Sequence, residues 1–257
     1  MANRQGDFIW YELMTPDPEG SRRFYSAVVG WTIEDRPSGE MDYRMIAAPD
    51  GLAGGMMTLT PAMIEGGARA CWMGYVGVDN VDATVASITA AGGSIHMPAW
   101  DIPGVGRIAM VADPQGAPFY VMRGASDETS HAFDGDKVGH CSWNELVTSD
   151  QDAALTFYAG QFGWTKAGGM DMGPMGEYSF IEQSGTPIGA MMNRTPESPP
   201  PVWNYYFRVA DIDAAASSIA ALRGKILTGP QEVPGDQWVI QGIDPQGAAF
   251  GLVGKKL

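Results

Sequence analysis

The stretch GDFIWYELMTPDPEGSRRFYSAVVGW, which begins at Gly6, returns from Gly139 as GHCSWNELVTSDQDAALTFYAGQFGW. Trp10, Glu12, Phe24, Tyr25 and Trp31 thereby acquire counterparts in Trp143, Glu145, Phe157, Tyr158 and Trp164. Farther along, Trp72 matches Trp203, and DPQGAPF from Asp113 matches DPQGAAF from Asp244. The duplication covers essentially the whole chain of 257 residues. Units of about 125 residues are domain-sized, too long for a solenoid repeat. We therefore expect a first domain over residues 1–125, a polar, Gly-rich linker over 126–138 and a second domain over 139–257.

Within each unit a shorter grammar repeats. FIWYELM reads as a strand. Thr15 and Asp17 are candidate helix starts, Phe24, Tyr25 and Val28 share a helical face, and Gly30 is a stop. WTIEDR, YRMIAA and AGGMMTL follow as short strands between turn residues. The second half of the unit repeats the order with CWMGYVGV, a helix over about 79–91 with Val81, Val85 and Ile88 inward, then SIHMPAW, GRIAMVA and FYVMR. Asp113-Pro114-Gln115-Gly116 is a turn signal, so DPQG is read as structural. The sum is an α+β chain of four βαβββ modules, two per domain. NRTPESPPPVW falls inside the second repeat and is a connector between modules. DIPGVGR and EVPGDQW, matched between the repeats, are ordinary turns or lid segments.

A strand, an Asp, Phe-Tyr seven residues on, Gly-Trp, and a second module closing in DPQG together resemble the vicinal oxygen chelate superfamily of glyoxalases, bleomycin-resistance proteins and extradiol dioxygenases. The WxEL openings resemble a two-domain, glyoxalase-like subgroup. The resemblance implies curved mixed sheets that wrap clefts; it does not by itself imply an activity. Enzymes of the superfamily hold one divalent metal through His, Gln or Glu at set places. Carried over, those places fall on Trp10 and Trp143, on Met73 and Asn204, on Tyr120 and Gly251, and within GGMM and GAMM. Apart from the neutral Asn amide, none offers an oxygen or imidazole ligand suited to such a metal. His131 lies in the linker, His140 has no counterpart in the first repeat, and His96 is isolated; each reads as solvated or structural. The expectation is no metal and no cofactor.

Strand alternation puts Trp10, Glu12 and Met14 on one face, likewise Trp143, Glu145 and Val147, then Met73, Tyr75 and Gly77, and Asn204, Tyr206 and Arg208. By the resemblance these faces are concave. The candidate ligand-binding set is Trp10, Glu12, Met73, Tyr75, Tyr120, Trp143, Glu145, Asn204, Tyr206 and Arg208. Such a lining suits a flat or partly apolar small molecule with a few polar anchors. Trp72 and Trp203 read as core. An inward carboxylate is costly unless hydrogen-bonded or paired. Glu12 and Glu145 are therefore structural acceptors, ligand anchors or general bases, with Arg208 a partner for Glu145. The leading expectation is a metal-free protein, like the resistance proteins, that binds a small organic molecule. The alternatives are a lyase, isomerase or oxygenase with atypical metal ligands or a Glu base, and a protein whose repeats serve partner binding.

Composition narrows the partners. A formal charge of −14 opposes the phosphates of nucleic acid. No run approaches the roughly 20 apolar residues of a membrane helix. The opening MANRQGDFIW lacks the order of a secretory signal. A cytoplasmic location follows, with no membrane partner and with a monomer or homodimer as the assembly. Cys71 and Cys141, without CxxC spacing, read as buried thiols. GxxxxGK[ST], GxSxG and HExxH are all missing.

Overall fold

A computed structural model describes residues 3–37 and 41–257. The first two residues of the N-terminal stretch read above lie outside that set. The first repeat runs β1 (Phe8–Thr15), α1 (Pro18–Val28), β2 (Thr32–Ile33), β3 (Tyr43–Ala48), β4 (Gly51–Thr58), α2 (Pro61–Glu65), β5 (Cys71–Gly77), α3 (Val81–Ala90), β6 (Ser94–Ile102), β7 (Gly106–Ala112) and β8 (Pro118–Gly124). The second runs β9 (Cys141–Thr148), α4 (Gln151–Phe162), β10 (Thr165–Asp171), a 3-10 turn, β11 (Glu177–Gln183), β12 (Thr186–Asn193), β13 (Val202–Asp211), α5 (Ile212–Ala221), β14 (Lys225–Val233), β15 (Gln237–Ile243) and β16 (Ala249–Lys255). The four expected modules are present; the added element is the short helix α2 in the connector of the first repeat.

Caps place the helices. Asp17 accepts a hydrogen bond from the Gly20 amide at 2.9 Å, and Pro18 takes the first turn, where its missing N–H costs nothing. Asp150 does the same for α4 through the Ala153 amide at 3.0 Å. That helix stops at Gly163 in the left-handed region. On α1 the inward face is Ser21, Phe24, Tyr25 and Val28, and on α3 it includes Val81, Val85 and Ile88, as the spacing predicts.

Two eight-stranded mixed sheets result, in the orders β2-β3-β4-β1-β5-β8-β7-β6 and β10-β11-β12-β9-β13-β16-β15-β14. Each module contributes one parallel pair: β1 with β4, β5 with β8, β9 with β12 and β13 with β16. Parallel pairing across an intervening helix is what a βαβββ order requires. DIPGVGR and EVPGDQW are the tight turns of the β6–β7 and β14–β15 hairpins. Arg107, the last residue of the first of these, is tied to Asp82 and Asp101.

By contact density the chain forms two compact units, each drawing one module from each repeat. One contains the chain up to Ile9, Gly74–Ser130 and Trp143–Asn204; the other contains Trp10–Met73, His131–Ser142 and Tyr205–Leu257. In the first unit Tyr158 stacks on Trp164 at 5.1 Å, with Phe8 packed on Trp164 and Trp203. In the second, Trp31 and Trp72 pack on Phe207.

The DPQG turns hold these cores together. Within the first unit the Trp203 indole donates to the Tyr158 hydroxyl at 2.9 Å, and that hydroxyl donates to Asp113 Oδ2 at 3.1 Å. The other oxygen of Asp113 accepts from the amides of Gln115 and Ala117, fixing the turn. The second unit repeats the arrangement with Trp72, Tyr25 and Asp244. DPQG is thus the anchor of a buried polar chain as well as a turn. The linker expected from its composition is fastened too: Ser130 Oγ donates to the Ile9 carbonyl and Asp134 N to the Cys141 carbonyl, while Ala132 is fully buried.

Candidate functional site

β9 is an alternating strand, and its even-numbered neighbours Asn144 and Leu146 are completely buried. The opposite face presents Trp143, half-buried, and Glu145, 6% exposed. The cost of that carboxylate is offset by hydrogen bonds. Trp143 Nε1 donates to the Tyr178 hydroxyl at 2.8 Å, Tyr178 donates to Glu145 Oε2 at 2.8 Å, and Asn204 Nδ2 donates to Glu145 Oε1 at 3.4 Å. Both donors direct their hydrogens at the carboxyl oxygens. Indole, phenol and amide are thereby held around one buried carboxyl group, all within the first compact unit.

In the second unit Trp10 Nε1 donates to the Tyr43 hydroxyl at 2.7 Å, and Glu12 is 4% exposed. Tyr43 lies over Gly55, where a Cβ would meet its ring and hydroxyl, so this glycine makes room for the phenol. The Cys71 thiol is pushed up to about 11, first by burial and then by the Glu12 carboxylate. Cys141 is buried and Cys71 half-buried, so the expectation of a buried thiol holds for Cys141 alone.

The second modules carry the remaining candidates. Tyr75 stacks on Tyr120 at 4.4 Å, and Trp100 meets the Tyr120 ring edge-on. Met73 is buried. In the other repeat the place of Tyr120 is taken by Gly251, and the Tyr206 ring covers it; Gln241 Nε2 donates to the Tyr206 hydroxyl. Arg208 was expected to partner Glu145. Its guanidinium instead donates to the Gly135 carbonyl and to Gln237 Oε1 at 2.7 Å, while Glu145 takes Tyr178 and Asn204. Burial holds the Arg208 guanidinium below its ordinary range. The carbonyl and the amide oxygen replace water without adding a countercharge.

The site residues missed in the sequence are Tyr43, Tyr178, Trp100, Gln237 and Gln241. A signal for the first two was present, since Tyr43 opens YRMIAA and Tyr178 opens YSFIEQ in matching strands.

The histidines stand apart from these clusters. His96 and His131 are exposed. His140 is buried and its Nε2 lies 2.7 Å from Asp50 Oδ1. Lys137, and next His140, hold the Asp50 carboxyl down at about 2. Among the described residues no group of three or more His, Cys, Asp or Glu comes together that could hold a metal. At the places the resemblance assigns to ligands stand an indole that can only donate, a buried thioether, an amide turned to Glu145, a stacked phenol and a glycine. This donor set does not fit a divalent metal.

Against family models, the description Glyoxalase/Bleomycin resistance protein/Dioxygenase superfamily matches residues 8–121 and again 137–252. The chain belongs to that superfamily. Among curated relatives, the chain is 32% identical over 252 residues to "Putative glyoxylase CFP32" of Mycobacterium tuberculosis, covering 97% of this chain and 95% of that one. It is 30% identical over 270 residues to the anthracycline biosynthesis protein DnrV of Streptomyces peucetius, covering 95% and 91%. Among solved structures, a variant of homoprotocatechuate 2,3-dioxygenase from B. fuscum superposes with a TM-score of 0.68 at 17% identity, over 100% of this chain and 73% of the other. The Mn(II)-bound glyoxalase from Novosphingobium aromaticivorans superposes with a TM-score of 0.64 at 16% identity, over 99% and 83%. The superfamily's tandem fold is therefore established for this chain, and its two DPQG turns and two WxEL strands occupy equivalent positions in the two copies. No helix among the described residues is long and apolar enough to cross a membrane.

Proposed function

We propose that this superfamily member binds a flat, largely apolar organic molecule against the indole and phenol of the β9 cluster, and that it does so without a metal. The observation that carries the reading is the Trp143–Tyr178–Glu145–Asn204 network, two members of which, Trp143 and Asn204, stand where the superfamily's enzymes place ligands to a metal. An aromatic surface with a polar anchor recognises a ring bearing a polar substituent. Trp10 and Tyr43 repeat the indole–phenol pair in the first repeat. The name of the relative DnrV supports the ring class: anthracyclines are planar fused-ring molecules, and this reading takes that class for the present chain. Glu145 holds Tyr178 and Asn204 in place. The location is cytoplasmic, and neither nucleic acid nor membrane is a partner.

The test uses 2-naphthol as probe and calorimetry on protein dialysed against a chelator. Saturable binding is expected, weakened about tenfold or more by Trp143→Ala, since losing a stacked aromatic partner forfeits its buried area together with the ring–ring preference. Affinity unchanged by Trp143→Ala and equally by Trp10→Ala would remove the proposed surface.

A further inference from the structure

The two repeats differ at one position of the cluster: the second repeat has Asn204 where the first has Met73. The Asn204 amide nitrogen faces Glu145, donating to its Oε1 at 3.4 Å, and this sets the direction of the amide. Asn204 Oδ1 then points its lone pairs away from the carboxylate. Among the described residues Oδ1 has no hydrogen-bond partner, and the side chain is half-buried. Elsewhere in the cluster the hydrogen bonds are directed inward: Trp143 donates to Tyr178, and Tyr178 donates to Glu145. What remains on offer beside the Trp143–Tyr178 pair is an oriented acceptor. Met73, buried at the matching place, offers a thioether, a weak acceptor at best.

We infer that Asn204 sets the specificity of the second-repeat site by accepting a hydrogen bond from a ligand hydroxyl or N–H, so that the preferred ligand is a hydroxylated planar aromatic molecule. The inference rests on the aromatic-ligand reading above and adds the donor requirement and the residue that imposes it. A ligand lacking a donor would displace water from Asn204 Oδ1 and leave a half-buried acceptor unsatisfied, which costs affinity.

The experiment compares 2-naphthol with 2-methoxynaphthalene, which keeps the ring and the oxygen but has no proton to donate. Calorimetric titration of the full chain should give a preference of about five- to tenfold for the naphthol, the effect of one hydrogen bond. Asn204→Met should erase the preference, bringing the naphthol down to the affinity of 2-methoxynaphthalene. Asn204→Ala, which removes the acceptor with less added bulk, should do the same and covers the case in which the methionine variant fails to fold. Equal affinities for the two probes in the wild type, or a preference that survives both Asn204 variants, would overturn the inference and leave the aromatic-ligand reading standing. Failure of both probes to bind would overturn that reading, and this one with it.

Discussion

Replacing Tyr158 with Phe is expected to lower the unfolding free energy by about 2–4 kcal/mol at neutral pH. The hydroxyl lost is the middle of a buried chain, with the Trp203 indole donating to it and Asp113 accepting from it. Phe keeps the ring on Trp164 and abandons both partners, and each buried group left without a partner costs about 1–3 kcal/mol. The effect should depend on pH. Burial raises the Asp113 carboxyl above its ordinary 3.8, and the Tyr158 hydrogen bond acts the other way, favouring the charged form. A raised folded value means that folding is favoured most below the unfolded value and loses stability as pH rises through the folded one. Without the hydroxyl that value rises further, so the penalty should be smaller at pH 3, where the carboxyl is mostly protonated in both states, and larger at pH 7. Urea denaturation of Tyr158→Phe at the two pH values checks this. Tyr25→Phe should behave alike through Trp72 and Asp244, whose carboxyl burial also raises. A loss under about 0.5 kcal/mol, equal at both pH values, would show the chain to be energetically idle.

Gly189→Ala should have an effect as large. A Cβ there would collide with the Asn144 carbonyl oxygen, and backbone of a paired strand cannot swing aside as the end of a side chain can. β12 and β9 pair in parallel with Gly189 opposite Asn144 and Ala190 opposite Glu145, so the new methyl must push the pair apart or shift its register. We expect a cost of about 3 kcal/mol, the upper range for overpacking, together with loss of 2-naphthol binding because Glu145 moves with its strand. In the first repeat Gly54 meets the Tyr11 carbonyl in the same way. The measurement is urea denaturation paired with calorimetry; wild-type stability with intact binding would mean that the strands tolerate the separation.

That pair of glycines illustrates what could be read in advance and what could not. The duplication, the module order and the helix faces follow from patterns that local physics imposes: Asp before a helix, apolar residues every three or four positions, Pro and Gly at turns. GGMM and GAMM were legible as places without a metal donor. Their leading glycine was not legible as a close approach, because the strand that crowds it lies some forty residues earlier in the sequence. Arg208 failed for a related reason. Charge suggested Glu145, but its neighbours are set by the fastened linker, which brings the Gly135 carbonyl to it. Glu12 and Glu145 were legible as inward carboxylates from alternation alone. The phenol partner of Glu145 comes from a separate strand and could be found only by asking which tyrosines recur in both copies. The pairing of each Tyr in a first-module helix with the DPQG Asp of the other repeat is a property of the assembled units, invisible to any local pattern.

The central claim is ligand binding by indole, phenol and amide in place of a metal. It is tested most directly by loading the purified protein with Ni, Zn, Mn and Fe(II), dialysing, and measuring retained metal by elemental analysis. The account predicts far less than one equivalent of any metal and unchanged 2-naphthol affinity. Near-stoichiometric metal, retained through dialysis and lost on replacing Glu12 or Glu145 with Gln, would contradict it and make those carboxylates ligands of a metal site.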